Sequence, residues 1–160
     1  PKAVVSGLEG NLFMPLSDTV DWNTNFTYML ESKDKTYNQP LSIIPKYTVN
    51  SYVRWMPTEK LTLQANVTWY GKQEAADFDI RKGTDVAGPS LNPYALVGFS
   101  AGYEISKNVY IKAGVNNFFD KKLYRYGLSN GNQASVTNSA GARTYNEHGR
   151  SLFVDVRASF

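Results

Sequence analysis

Among the carboxylates in strand-like sequence, Glu9, Asp21 and Glu31 could be read as catalytic, and the chain has a single histidine, His148. Paired carboxylates can divide general acid and general base work between them. These three each fall on the polar parity of an alternating segment, where a hydrogen bond to water or to a neighbouring element is their ordinary fate. His148 could be a ligand or a proton-linked switch, yet one histidine at a strand start fits a structural role better. Asp155 and Arg157, two apart on one face, are expected to pair with neighbours rather than to do chemistry. The absence of cysteine excludes disulfides, thiolate metal sites and a cysteine nucleophile. One histidine excludes histidine metal clusters and the usual triads. Neither a glycine-rich phosphate loop nor a zinc-protease helix motif occurs. We therefore assign no catalytic residue, no metal ligands and no covalent cofactor.

The elements that carry these groups are strands. The 160 residues suit one domain, taken as 1–160, and 14% are aromatic, eleven of them tyrosine. The net charge of +3 is too weak, and the basic residues too scattered, for nucleic acid to be a partner. No apolar run is long enough for a transmembrane helix. Seven segments alternate with period two. They begin near Ala3, Val20, Tyr47, Leu61, Ala95, Val109 and Gly149. In the fourth, Leu61, Leu63, Ala65, Val67 and Trp69 oppose Thr62, Gln64, Asn66 and Thr68. In the last, Leu152, Val154, Val156, Ala158 and Phe160 oppose Ser151, Asp155, Arg157 and Ser159. Glu9, Asp21 and Glu31 are expected on the polar parity.

Connections alternate between short and long. Residues 16–19, 57–60 and 106–108 read as tight turns, and 32–45, 72–92 and 121–144 as long polar loops. Short turns at one end and long loops at the other are a habit of outer-membrane barrels. With the short turns as the lower edge, Trp22, Trp55 and Phe160 stand low on the apolar parity, and Tyr28, Tyr47 and Trp69 stand high. Valine, leucine, alanine and phenylalanine fill the band between. Two aromatic girdles around an aliphatic band describe a lipid-facing surface, so the polar parity is expected to face a lumen. The fold class is all-β, an antiparallel transmembrane β-barrel. Seven strands is an odd count for a bacterial barrel. The chain is expected to be the C-terminal part of a larger one, the alternative being an eight-stranded structural or adhesive barrel with one strand unseen. A soluble ligand-binding barrel has similar length and strands, with its apolar parity inside.

"SDTVDWNTNFTYMLESKDK", "LSIIPKYTVNS", "TWYGKQ", "GVNNFFDKKLYR" and "RTYNEHGRSLFVDVRASF" resemble the C-terminal barrel region of TonB-dependent outer-membrane receptors, and within them the ferric enterobactin, or catecholate siderophore, branch. The resemblance spans nearly the whole chain. It implies a barrel of about 22 strands around an N-terminal plug, located in the outer membrane of a Gram-negative bacterium. It implies uptake of a ferric siderophore, bound as transported ligand rather than cofactor. It also implies energy from the TonB complex acting through a plug absent from this segment. Phe160 would belong to the signal read by the barrel-assembly machinery, although the glycine often found shortly upstream in that signal is missing. Ferric tris-catecholates are anionic and aromatic, so cations and aromatic faces suit them. The long loops interleave the two. Lys121, Lys122, Tyr124, Arg125 and Tyr126, with Arg81 and Lys82, are the candidate ligand contacts. The competing reading is that basic loops meet lipopolysaccharide phosphate at the membrane surface.

Overall fold

Alternating residues become strands along the whole chain. The computed structural model describes residues 2–36, 38–41, 44–73, 76–79, 84–87, 92–122 and 148–159. Its strands are β1 (Ala3–Pro15), β2 (Val20–Asp34), β3 (Gln39–Pro40), β4 (Tyr47–Thr58), β5 (Leu61–Tyr70), β6 (Ala76–Asp79), β7 (Thr84–Ala87), β8 (Tyr94–Ser106), β9 (Val109–Asn116) and β10 (Ser151–Ala158). An antiparallel meander runs β1-β2-β4-β5-β8-β9-β10, with β3 beside β2 and β6–β7 pairing separately. The seven strands match the seven alternating segments. Among the described residues no helix is long and apolar enough to cross a membrane, which says nothing about crossing by strands. A strand tilted across a bilayer needs about 9–11 residues, and most of these seven have that length or more.

Register makes one surface out of seven alternations. Partners directly across a ladder share a face. Val53 pairs with Trp22 and Ala65, Ala65 with Phe99, Phe99 with Val115, and Val115 with Leu152. An apolar row therefore crosses the sheet without a break in phase. One residue along, Tyr52 pairs with Asn23 and Asn66, and Asn66 with Gly98, on the other face. The apolar face is not covered: Leu152 is 82% exposed, Val154 68% and Val156 60%. Tyr94 is the one buried large hydrophobic among the described residues. A soluble sheet hides its apolar parity in a core; among the described residues no element packs over this one.

Turn chemistry holds the short connections. Ser17 Oγ accepts the N–H groups of Thr19 (3.3 Å) and Val20 (3.1 Å). Thr58 Oγ1 accepts that of Leu61 (3.1 Å). The long connections are partly structured, contrary to the reading of 72–92 as plain loop, for β6 and β7 form a hairpin there with Asp79 across from Thr84.

One expectation about faces fails. Ser6 pairs with Glu31 but Gly7 pairs with Met29, so Leu30 is an extra residue in β2. A bulge of this kind reverses the two-residue phase beyond it. Glu31 then shares the face of Ser6, Leu8 and Leu12 instead of the polar face, and it pairs with Lys35. The apolar face also carries the hydroxyls of Thr24 and Ser51. Both are satisfied within the sheet: Thr24 Oγ1 donates to the Asn50 carbonyl (3.1 Å), and Ser51 Oγ accepts Trp22 Nε1 (2.7 Å). Without water, such local partners are what make a hydroxyl tolerable.

Candidate functional site

The polar face is organised by cross-strand pairs. Asp21 stands directly across from Arg54, whose Nε (2.9 Å) and Nη2 (2.6 Å) both donate to Oδ2. Asp21 is only 6% exposed, and its Oδ1 is buried with no hydrogen-bond partner. Asn50 Nδ2 donates to Asn25 Oδ1 across the same ladder (3.0 Å). Arg157 donates from Nε to Asp155 Oδ2 (3.2 Å), so these two pair with each other. Between them lies a depression of about 340 Å³ lined by Asn50, Tyr52, Gln64, Asn66, Lys112 and Phe153, among others.

The rim at the long-loop end is built by two residues the sequence reading passed over. Asn117 and Asp120 follow β9 in the left-handed region, at φ 48° and 52°. Asparagine and aspartate reach it more readily than other side-chain-bearing residues. Asn117 is 7% exposed. Its Nδ2 donates to the carbonyls of Lys121 and His148, and its Oδ1 accepts Lys121 N–H, each at 2.8 Å. Asp120 Oδ1 accepts Arg150 N–H (2.8 Å). The segment leaving β9 is thus tied to the segment entering β10, and the motifs "GVNNFFDKK" and "HGRS" meet in space. The signal was present as paired Asn and Asp in a turn-like run, both residues that form local side-chain to backbone bonds.

The Arg150 amide is the main reason the Asp120 carboxyl lies below the usual carboxylate value. Partial desolvation opposes this, and the Lys122 charge, 3.4 Å away, adds to it. A depressed folded-state value contributes stability above the unfolded pKa of about 4, lost as pH falls through the folded value. Exchange of the Arg150 amide should therefore accelerate on acidification below about pH 4, over the intrinsic rate, and Asp120→Asn should abolish that step. Loosening centred near neutrality would contradict this assignment.

Of the candidate ligand contacts, Lys121 and Lys122 are exposed at this rim. Lys122 is partnered by Asp120, while Lys121 uses its backbone to seat Asn117. Tyr124, Arg125, Tyr126, Arg81 and Lys82 lie outside the described residues. Of the aromatics, Tyr28, Tyr47 and Trp69 gather at the long-loop end. Tyr28 pairs with Tyr47, and the Tyr47 and Trp69 rings meet edge to face at 5.8 Å. Lys46 Nζ stands 5.0 Å from the Tyr28 ring centre. Trp55 pairs with Val20 at the opposite end, and Trp22 is anchored to Ser51. Phe160 lies outside the described residues. The sequence reading missed Phe118 and Phe119, which stack in series with Phe99, each step 5.3 Å and edge to face. They continue the high aromatic row across β8 and β9.

The family model described as "TonB dependent receptor-like, beta-barrel" matches residues 1–118. The chain is similar over its full length to the ferric enterobactin receptor of Pseudomonas aeruginosa (48% identity) and to the ferrienterobactin receptor of Escherichia coli (46%). It spans about a fifth of the length of these relatives. A crystal structure of the P. aeruginosa receptor PfeA superposes on the whole chain with a TM-score of 0.83 at 47% identity, 23% of that receptor being covered. The siderophore receptor PirA of Acinetobacter baumannii also superposes on all of it, with a TM-score of 0.77 at 28% identity and 22% of that receptor covered.

Proposed function

The chain belongs to the TonB-dependent receptor-like β-barrel family, and from that premise we propose that it forms the C-terminal part of the barrel wall of an outer-membrane receptor taking up a ferric catecholate siderophore. The observation that carries the ligand class is the 48% and 46% identity, across the full chain, with two ferric enterobactin receptors. The uncovered apolar row supports the membrane role: it faces lipid, and the polar face lines the lumen. Trp22 and Trp55 mark the lower interface, and Tyr28, Tyr47 and Trp69 mark the upper; Phe160 is proposed as a further interfacial aromatic on its sequence parity alone. The protein does no covalent chemistry, and the ferric siderophore is its cargo. A plug elsewhere in the receptor receives energy from TonB. The last strand is offered to the barrel-assembly machinery, and the outer rim meets lipopolysaccharide. No observation favours the eight-stranded or the soluble barrel.

The ligand is met at the rim by Lys121, Lys122, Tyr124, Arg125 and Tyr126, with Arg81 and Lys82 from the preceding long loop. A charge-assisted hydrogen bond contributes about 1.5–3 kcal/mol. In the full receptor, combined replacement of Lys121, Lys122 and Arg125 by alanine should weaken ferric-catecholate binding roughly tenfold or more. Assembly should be intact, and the loss smaller at high salt. Lys122→Ala alone should cost least, since Asp120 already shares that charge. Parent-like affinity in the triple variant would move the ligand contacts elsewhere and leave this loop a lipopolysaccharide contact.

A further inference from the structure

The apolar face is uneven towards the short turns. Ala101 and Ala113 stand directly across from each other. In the same row Leu63 lies beyond Ala101, and Val154 beyond Ala113. Two residues along the strands on one side, Phe99 pairs with Val115, and on the other Tyr103 pairs with Ile111. Six larger side chains therefore ring two methyl groups. A depression of about 780 Å³ results, with Ala65, Ala101 and Ala113 in its lining. All three alanines are exposed.

Two cations stand below it. Lys107 is exposed in the turn between β8 and β9, six residues beyond Ala101. At about 3.3 Å per residue and a tilt of about 45°, that is roughly 14 Å along the membrane normal. Half of a hydrocarbon core is about 15 Å, so Lys107 stands at headgroup height when the depression stands among the chains. Lys60, also exposed, lies on the neighbouring strand, where its carbonyl accepts the Glu104 N–H (2.9 Å).

We propose that the depression seats one acyl chain of an anionic phospholipid, with the headgroup phosphate held by Lys60 and Lys107. The inference rests on the lipid-facing placement proposed above and adds to it a fixed place for one lipid. Lipid tails are as apolar as the side chains they touch, so the gain is packing and not transfer from water. A chain lying in the recess touches protein on several sides, which a chain on a flat wall does not. Charge selects the headgroup. Outer-membrane barrels keep their short turns periplasmic, so the occupant comes from the leaflet on that side.

The test is native mass spectrometry of the full receptor in detergent, titrated separately with phosphatidylglycerol and with phosphatidylcholine of the same chains. The first phosphatidylglycerol should bind about fivefold more tightly than the first phosphatidylcholine, the scale of one lysine near an anionic headgroup, because Glu59 and Glu104 offset part of the pair. Lys60→Gln with Lys107→Gln should erase that preference. Ala101→Phe with Ala113→Phe, which fills the recess, should weaken the first site for both lipids by about threefold or more. A preference that survives loss of both lysines would overturn the proposal, and so would parent-like binding in the filled variant. Failure of the filled variant to assemble, read by heat-modifiability in gels, would defeat the lipid-facing placement itself and the proposal with it.

Discussion

Val67→Arg in the full receptor should abolish assembly or leave a barrel that unfolds far more readily, whereas Asn66→Arg should be close to neutral. The two positions are adjacent in β5 and differ only in face. Val67 pairs with Ser51 and Val97 in the middle of the apolar row, and Asn66 pairs with Tyr52 and Gly98 on the polar side. An arginine at the bilayer midplane costs about 2–4 kcal/mol on a lipid-facing strand position. That corresponds to roughly thirty- to thousandfold in the folded-to-unfolded ratio. On the lumen side the same guanidinium keeps its water. Heat-modifiability in gels and protease resistance of whole cells report both variants. Equal behaviour of the two would mean the faces are assigned wrongly.

The second large effect is expected at Asn117. Alanine there removes three hydrogen bonds at once and leaves the Lys121 and His148 carbonyls and the Lys121 N–H without their partner. An unsatisfied buried group costs about 1–3 kcal/mol, and alanine at φ 48° adds left-handed strain of about 1–2 kcal/mol. Because the rim carbonyls recover some water, a total of about 2–4 kcal/mol is expected. Asn117→Gly should be milder, since it relieves only the strain. Asn117→Asp should fail despite its identical shape, because a second carboxylate oxygen would face two carbonyls. Urea unfolding of the receptor refolded in lipid vesicles ranks the three. An aspartate variant as stable as the parent would show that the amide is not what ties β9 to β10.

The strands were legible because their apolar residues keep a strict period of two and the ladders pair them in phase. Leu61 to Trp69 is the clearest case. The bulge at Leu30 was not legible, since an extra residue is defined only against the partner strand, and Glu31 was misplaced as a result. The pairing of β6 with β7 went unread because each strand has only four residues, too short a run for the alternation of Ala76 and Phe78 with Asp77 and Asp79 to stand out. The rim was half visible. "GVNNFFDKK" carries a family resemblance in its residues, but the bonds of Asn117 and Asp120 to the backbone of His148 and Arg150, about thirty positions away, exist only in the fold. Phe118 and Phe119 were overlooked because they follow the strand instead of sitting in its alternation. The packing of the Phe153 ring over Gly114 depends on the two lying directly across a ladder, a relation that periodicity in one strand cannot express.

The outward apolar face is tested most directly by a site-by-site accessibility scan of β5. The chain has no cysteine, so single cysteines from Thr62 to Trp69 can be spin-labelled in the full receptor, any others removed, in lipid vesicles. Collision rates with oxygen, which concentrates in lipid, are compared with those of a polar relaxant confined to water. Labels at Leu63, Ala65, Val67 and Trp69 should favour oxygen, and those at Thr62, Gln64, Asn66 and Thr68 the polar relaxant, in strict alternation. A scan without period two, or with the two sets exchanged, would contradict the placement of this sheet as a lipid-facing barrel wall.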